Sequence, residues 1–352
     1  VESVIMNYYR VIDKTQIQFD FFVHETSSFP QRAEIEQLGG RCFLTPPYSS
    51  VFRYQQTLTR LLRENKYYIV HSHINTLNVF SLFAAFLAGV PVRICHNHST
   101  VYWGERGKAL IKYILRPLAK IFATEYFACG EKAGRWFYGD RRFQRGKVQI
   151  LPNAIDPERY QFDIGARETL RAEYGIAPDT LVVGHVGRFT YAKNHTFLLD
   201  VFAALHKEQP DSVLLLAGEG ELEPQIRMKA QALDLNQCVR FLGVRDDVNK
   251  LYSAMDVFFL PSHFEGMPVV LVEAQASGLP CVISDRVTDE MKSEHLIQRL
   301  AGSESIGAWV QALISARRTE RKSGVRLAEY DISIQAERLT RYYLSKRGCA
   351  DE

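Results

Sequence analysis

The chain has 352 residues, 46% of them hydrophobic and 24% charged, with a net charge of +3. That length is too great for one ordinary core and sets an expectation of two domains. The charge excess is too small to mark a nucleic-acid binder. The six cysteines are scattered without paired spacing, which argues against a disulfide framework and for a reducing compartment. No apolar run reaches the ~18 residues that span a bilayer; the nearest, 77–90, reads as a buried helix. With no signal peptide in the sequence, a cytoplasmic location is expected.

The first ten residues read as a helix, whereas an α/β domain usually opens on a strand. A first strand and its following loop are therefore expected upstream. Strands are predicted at 19–23, 68–73, 91–98, 125–129 and 148–151, with helices at 34–38, 51–64, 77–88 and 109–123 between them. Strands separated by helices of this length imply parallel βαβ units. Pro-Asn-Ala-Ile-Asp-Pro at 152–157 breaks the pattern and reads as a hinge. The alternation then restarts, with strands at 181–187, 213–218, 239–243, 257–260 and 280–284. The reading is two doubly wound α/β domains in series, 1–155 and 156–330. In such folds ligands sit at the carboxyl ends of the strands; ends that face each other would put the site in a cleft between the domains. The polar amphipathic helix at 331–347 either lies in solvent or packs back on the first domain.

Three stretches of the second half carry chemistry. The loop Gly-Arg-Phe-Thr-Tyr-Ala-Lys-Asn at 187–194 follows a strand and leads into a helix, and it holds two cations, Arg188 and Lys193. Such a loop attracts anions and suits a diphosphate, though a solvated basic turn is the plainer alternative. Ala-Gly-Glu-Gly-Glu at 217–221 has no bulk and would let backbone approach a nucleotide, if it is more than a turn. The segment 261–280 holds Glu265 in a Gly-Met-Pro turn and Glu273 eight positions on. A helix between them would separate the carboxylates by ~10 Å, at or beyond the ~5–9.5 Å of a glycosidase acid/base pair. Glu273 lies among Val269, Val270, Leu271, Val272, Ala274 and Ala276, so it needs a partner if that helix is buried. A ribose diol is one candidate.

These stretches, with Phe-Leu-Gly-Val-Arg-Asp-Asp-Val at 241–248 and Ala-Met-Asp at 254–256, resemble the retaining glycosyltransferases of family 4, over about 181–285. The first half is similar to the same family through its βα alternation and its histidine-bearing strand ends. The resemblance implies the GT-B fold, two Rossmann-like domains facing a central cleft. It implies a nucleotide-sugar donor, UDP-linked, and a glycan or lipid-diphosphate-linked acceptor in capsule or exopolysaccharide synthesis. It implies that Gly187, Arg188 and Lys193 hold the donor diphosphate. Glu265, with Gly266, Met267 and Pro268, would contact the donor sugar, and Glu273 the ribose. Gly218, Gly220, Gly243, Val244 and Arg245 would lie near the base, and His96 would face the donor sugar. The family needs no metal and no cofactor, and no Asp-x-Asp stands at a strand end here. Alternatives with this fold are a sugar-nucleotide epimerase, a phosphorylase or a non-catalytic nucleotide-sugar-binding protein.

Two further patterns stay open. His71 and His73 end one strand, and His96 and His98 the next. Four imidazoles could suggest zinc, but no Cys, Asp or Glu is in register, so the expectation is no metal. His73 and His98 are placed on the acceptor side instead, while His71 and His185 read as structural. Lys108, Lys112, Arg116 and Lys120 recur every four residues along an apolar helix. That is the pattern of a helix on an anionic membrane surface, and equally of an ordinary helix with its lysines outside.

Overall fold

The apolar runs at 181–185, 257–260 and 281–284 are buried on both faces, as central strands of a parallel sheet must be. The computed structural model describes residues 1–27, 29–98, 106–291, 296–319, 321 and 327–348, with backbone alone over 106–112. The chain divides into two units, Val1–Ala154 with Ile332–Glu352, and Ile155–Asp331.

In the first unit β1 (Phe21–His24) pairs in parallel with β2 (Cys42–Thr45). A separate parallel sheet runs in the order β3 (Ile69–Ser72), β4 (Val92–Asn97), β5 (Glu125–Ala128), β6 (Val148–Ile150). Crossover helices such as Val51–Glu64 and Asn78–Leu87 connect them. The sequence reading omits β2, four residues squeezed between Gly-Gly-Arg and Pro-Pro, too short for a visible period. The terminal helix Ile332–Gly348 packs within this unit. Its Tyr342 and Lys346 both engage Glu125, and Tyr68 Oη donates to Lys346 O.

The second unit is one six-stranded parallel sheet. Its strands are β7 (Leu181–Val186), β8 (Ser212–Ala217), β9 (Val239–Gly243), β10 (Val257–Leu260), β11 (Cys281–Ser284) and β12 (Ile297–Leu300), in the order β12-β11-β10-β7-β8-β9. The sequence reading omits β12, a half-buried edge strand, Ile-Gln-Arg-Leu, with little apolar signal. The chain winds one way from β7 to β9, then returns to the other side of β7 with β10. The carboxyl ends of β7 and β10 therefore lie side by side at a switch in winding direction, where an open α/β sheet leaves a crevice. Val257 pairs with Val183 and Phe258 with Gly184 across that join. A Cβ on Gly184 would stand 2.1 Å from the Met255 sulfur, so glycine there lets the layer beneath close.

Two histidines are sealed into this unit. His185 is 0% and His195 2% exposed. His185 Nδ1 bonds Phe259 O at 2.8 Å, while His195 stacks on Phe189 at 4.2 Å and neither of its ring nitrogens has a partner among the described residues. Burial pulls the His195 pKa down to about 3 and that of His185 well below the ordinary value. Both are neutral when folded and take up protons when unfolded below about pH 6.5. Their stability contribution is thus complete above that pH and is lost as pH falls toward 3. Replacing His195 with Phe should flatten this acid limb by about 1.4 kcal/mol per pH unit, since one proton fewer is linked to unfolding. Urea unfolding at pH 7 through 4 measures the slope; an unchanged slope contradicts the assignment.

Candidate functional site

The loop after β7 is stitched to the loop after β10. Asn194 takes a left-handed conformation (φ 55°) and caps the helix His195–Glu208 by accepting from Phe197 N, while its Nδ2 donates to Pro261 O at 3.2 Å. His263 N donates to Ala192 O at 2.8 Å, and the His263 ring stacks on Tyr191 at 4.5 Å. This brings Lys193 onto Glu265, Nζ to Oε1 2.6 Å, with both side chains mostly covered. Ser262 Oγ approaches the same carboxylate oxygen at 3.5 Å. Arg188, three residues before the pairing loop turns, is exposed and makes no ion pair among the described residues. Glu265 is held by backbone as well: its N donates to Arg286 O and it bridges to Val287. Met267 and Pro268 are buried behind it, and Gly266 is half-buried.

Glu273 belongs to a different set of contacts. It lies on the buried helix Val269–Ala276, where Tyr160 Oη donates to Oε1 at 2.9 Å and Tyr252 Oη to Oε2 at 2.8 Å. Burial raises its pKa, and the two tyrosine hydroxyls oppose that rise by favouring the ionised form. The two glutamates share no partner, so they are not a proton-sharing acid/base pair. Sequence reasoning missed both tyrosines. It asked for a partner to Glu273, but Tyr160 is 113 positions away and no spacing rule finds it.

The glycines near the supposed base pocket have a structural role of their own. Gly218 sits at φ 134°, and a Cβ there would stand 2.2 Å from Gly187 O; one on Gly220 would stand 2.6 Å from Phe189 O. Gly187 N donates to Ala217 O, and Phe189 N to Glu219 O, which closes the two loops together. Gly243 ends β9 at φ 64° in open space, with Val244 exposed beyond it. Arg245 is committed to Asp247 through two hydrogen bonds of 2.8 and 2.7 Å.

In the first unit the strand-end histidines gather. Period-2 alternation puts His71 and His73 on one face of β3, and His96 and His98 on one face of β4. His71 Nε2 meets His96 Nδ1 at 3.1 Å, His73 Nδ1 meets His98 Nε2 at 2.9 Å, and Tyr343 Oη meets His71 Nδ1 at 2.6 Å. His96 is 1% exposed and stacks on His98 at 4.0 Å. Burial lowers all four pKa values, that of His73 to about 3, so the cluster is neutral.

The helix Arg106–Ala119 differs from its expected pattern. The Lys108 and Lys112 side chains lie outside the described residues. Arg116 folds across Trp136 at 5.5 Å, and Lys120 Nζ donates to Phe137 O at 3.3 Å, so neither extends an outward basic stripe. The outward positions on and just beyond this helix are Ile114, Leu118 and Ile121, at 58%, 41% and 65% exposure. Among the described residues no helix is long and apolar enough to cross a membrane.

The profile described as "Glycosyltransferase Family 4" matches residues 1–159, and that described as "Glycosyl transferases group 1" matches 166–323. Over 324 residues the chain is 40% identical to the putative glycosyltransferase EpsF of Bacillus subtilis (strain 168), covering 90% of this chain and 84% of that one. The chain belongs to the family 4 glycosyltransferases. A second relative, the UDP-Gal:alpha-D-GlcNAc-diphosphoundecaprenol alpha-1,3-galactosyltransferase of Escherichia coli, is 31% identical over 240 residues, 65% of this chain and 60% of that one. In fold the chain is similar to the crystal structure of Anabaena HepE in complex with UDP and glucose, with a TM-score of 0.78 at 18% identity, covering 98% of this chain and 95% of that one. The fold is GT-B, each unit Rossmann-like and built on parallel strands.

The glycine packing makes a stability prediction for this family member. Gly218→Ala forces a Cβ into Gly187 O and should destabilise by roughly 1–3 kcal/mol. Gly243→Ala meets no neighbour and should cost only the left-handed backbone strain, about 1–2 kcal/mol at most. Denaturant midpoints of the two variants decide this; a larger loss at Gly243 refutes the packing account.

Proposed function

We propose that this glycosyltransferase is a retaining, metal-independent hexosyltransferase that moves a sugar from a UDP-linked donor onto a glycan or lipid-diphosphate-linked acceptor in cell-surface polysaccharide synthesis. The observation that carries the reading is the Lys193–Glu265 pair, with the exposed Arg188 on the same loop, at the strand ends where β7 and β10 meet. Glycosyl transfer develops negative charge on the leaving diphosphate and positive charge at the anomeric carbon. Arg188 and Lys193 stabilise the first without a metal. Glu265, anchored by backbone and by Lys193, holds donor-sugar hydroxyls, with Gly266, Met267 and Pro268 beside it.

Glu273 takes the ribose. Each of its oxygens already accepts from one tyrosine, and a carboxylate has room for about four acceptor contacts. Gly187, Gly218, Gly220, Gly243, Val244 and Arg245 surround the diphosphate and base, Arg245 through its backbone, because its side chain is occupied by Asp247. His96 serves the donor sugar and His73 and His98 the acceptor. In the step itself the acceptor oxygen bonds the anomeric carbon on the face the phosphate leaves. The acceptor proton passes to the leaving phosphate oxygen, so no protein base is needed. The choice of UDP is supported by the E. coli relative's name and by the UDP bound in the HepE structure. A capsular setting is supported by the name of a Staphylococcus aureus relative, "Capsular polysaccharide biosynthesis glycosyltransferase CapM", 27% identical over 235 residues.

The test is sugar release and transfer from a panel of nucleotide sugars, run with and without EDTA. UDP should appear only with a UDP-sugar, the rate should survive EDTA, and Lys193→Ala should lower kcat by about 10²–10³, the scale of one lost charge stabiliser. Interconversion of the nucleotide sugar without acceptor would indicate an epimerase instead, and binding without UDP release a non-catalytic protein.

A peripheral membrane location is a further part of the proposal. It is supported by the exposed Ile114, Leu118 and Ile121, on and just beyond a helix whose sequence also holds Lys108 and Lys112, with Phe86 exposed on the neighbouring helix. An exposed apolar face on a basic segment suits an anionic bilayer surface. Vesicles containing anionic lipid should co-sediment the protein, and Ile114→Ser with Leu118→Ser and Ile121→Ser should release it. Equal sedimentation with neutral vesicles, or no effect of the triple change, rejects the location.

A further inference from the structure

We propose that His71, His73 and His96, at the ends of β3 and β4, form a binding site for a divalent transition cation of the zinc class. Each of the three offers one ligand atom, and these atoms lie within 4.8 Å of one another. Tetrahedral zinc with ~2.0–2.1 Å bonds to nitrogen sets its ligand atoms about 3.3 Å apart. The His71 Nε2 to His96 Nδ1 distance, 3.1 Å, already has that spacing. Closing the widest pair from 4.8 Å takes about 1.5 Å, within the reach of small ring rotations.

The rings are also oriented from behind. Tyr343 Oη holds His71 Nδ1 and leaves Nε2 toward the cluster. His98 Nε2 holds His73 Nδ1 in the same way. Metal-ligating histidines have their second nitrogen tied to such a partner, which fixes the tautomer and aims the lone pair.

The donor set selects the cation. Three imidazoles and no carboxylate suit zinc, cobalt, nickel or copper, and disfavour magnesium and calcium, which need oxygen ligands. This site is distinct from the charge stabilisation proposed for transfer, which rests on Arg188 and Lys193, and a cation held here would take His73 and His96 out of the sugar and acceptor contacts proposed above.

The experiment uses the full chain without a histidine tag, stripped with chelator and dialysed at pH 7.5. Zinc is titrated by calorimetry, cobalt by visible absorption, and magnesium as control. One equivalent of zinc should bind and raise the melting temperature, cobalt should give the intense bands of tetrahedral nitrogen coordination, and magnesium should do neither. His73→Gln should abolish these signals. Tyr343→Phe, which keeps every ligand, should weaken zinc about 10–100-fold; it decides the matter if His73→Gln does not fold. Absence of saturable zinc binding to the folded wild type overturns the proposal, as does unaltered affinity in both variants. None of these readouts uses glycosyl transfer, so they stand or fall apart from the proposed activity.

Discussion

The contact between Lys193 and Glu265 depends on one feature of topology: β10 returns beside β7 rather than continuing past β9. Only then do two loops separated by some seventy residues of sequence end at the same crevice. The pairing has its own supports, Asn194 to Pro261 and His263 to Ala192, which are uncharged and largely backbone-directed. The ion pair is therefore positioned by hydrogen bonds that do not depend on its charges. A binding group held this way keeps its place when a ligand competes for the lysine, which is what a site for anionic donors requires.

The same crevice separates its two carboxylates by giving them different neighbours. Glu265 faces a cation at the mouth, and Glu273 faces two phenols in the interior. Burial of Glu273 costs desolvation, and the hydrogen bonds donated by Tyr160 and Tyr252 offset part of it.

Much of this was legible in the sequence, and the gaps have physical causes. The parallel βα alternation showed because buried strands are continuous apolar runs; β12 was lost because an edge strand with Gln298 and Arg299 lacks that run. The stretch 187–194 and the pair Glu265/Glu273 were visible as motifs, since each is local. The tyrosines on Glu273 were not, because a partner 113 residues away is set by the packing of a 3₁₀ turn on a helix. Gly218 and Gly220 were noticed for the right property, absence of a side chain, but the structure ties that property to loop-on-loop contact with Gly187 and Phe189. The lysine and arginine periodicity of 108–120 misled for a related reason. Helical spacing says which residues share a face, not whether long side chains stay there, and Arg116 and Lys120 turn back toward aromatic and carbonyl partners.

The two units also divide their electrostatics. The second brings Arg188, Lys193 and Glu265 to the strand ends where β7 and β10 meet. The first gathers imidazoles that burial keeps neutral, stacked at 4 to 5 Å with hydrogen bonds between them. Stacked neutral rings at a strand end are a poor place for a proton, since a charge on one would be desolvated and would repel any charge on the next. They remain ligands and hydrogen-bonding groups at physiological pH for that same reason.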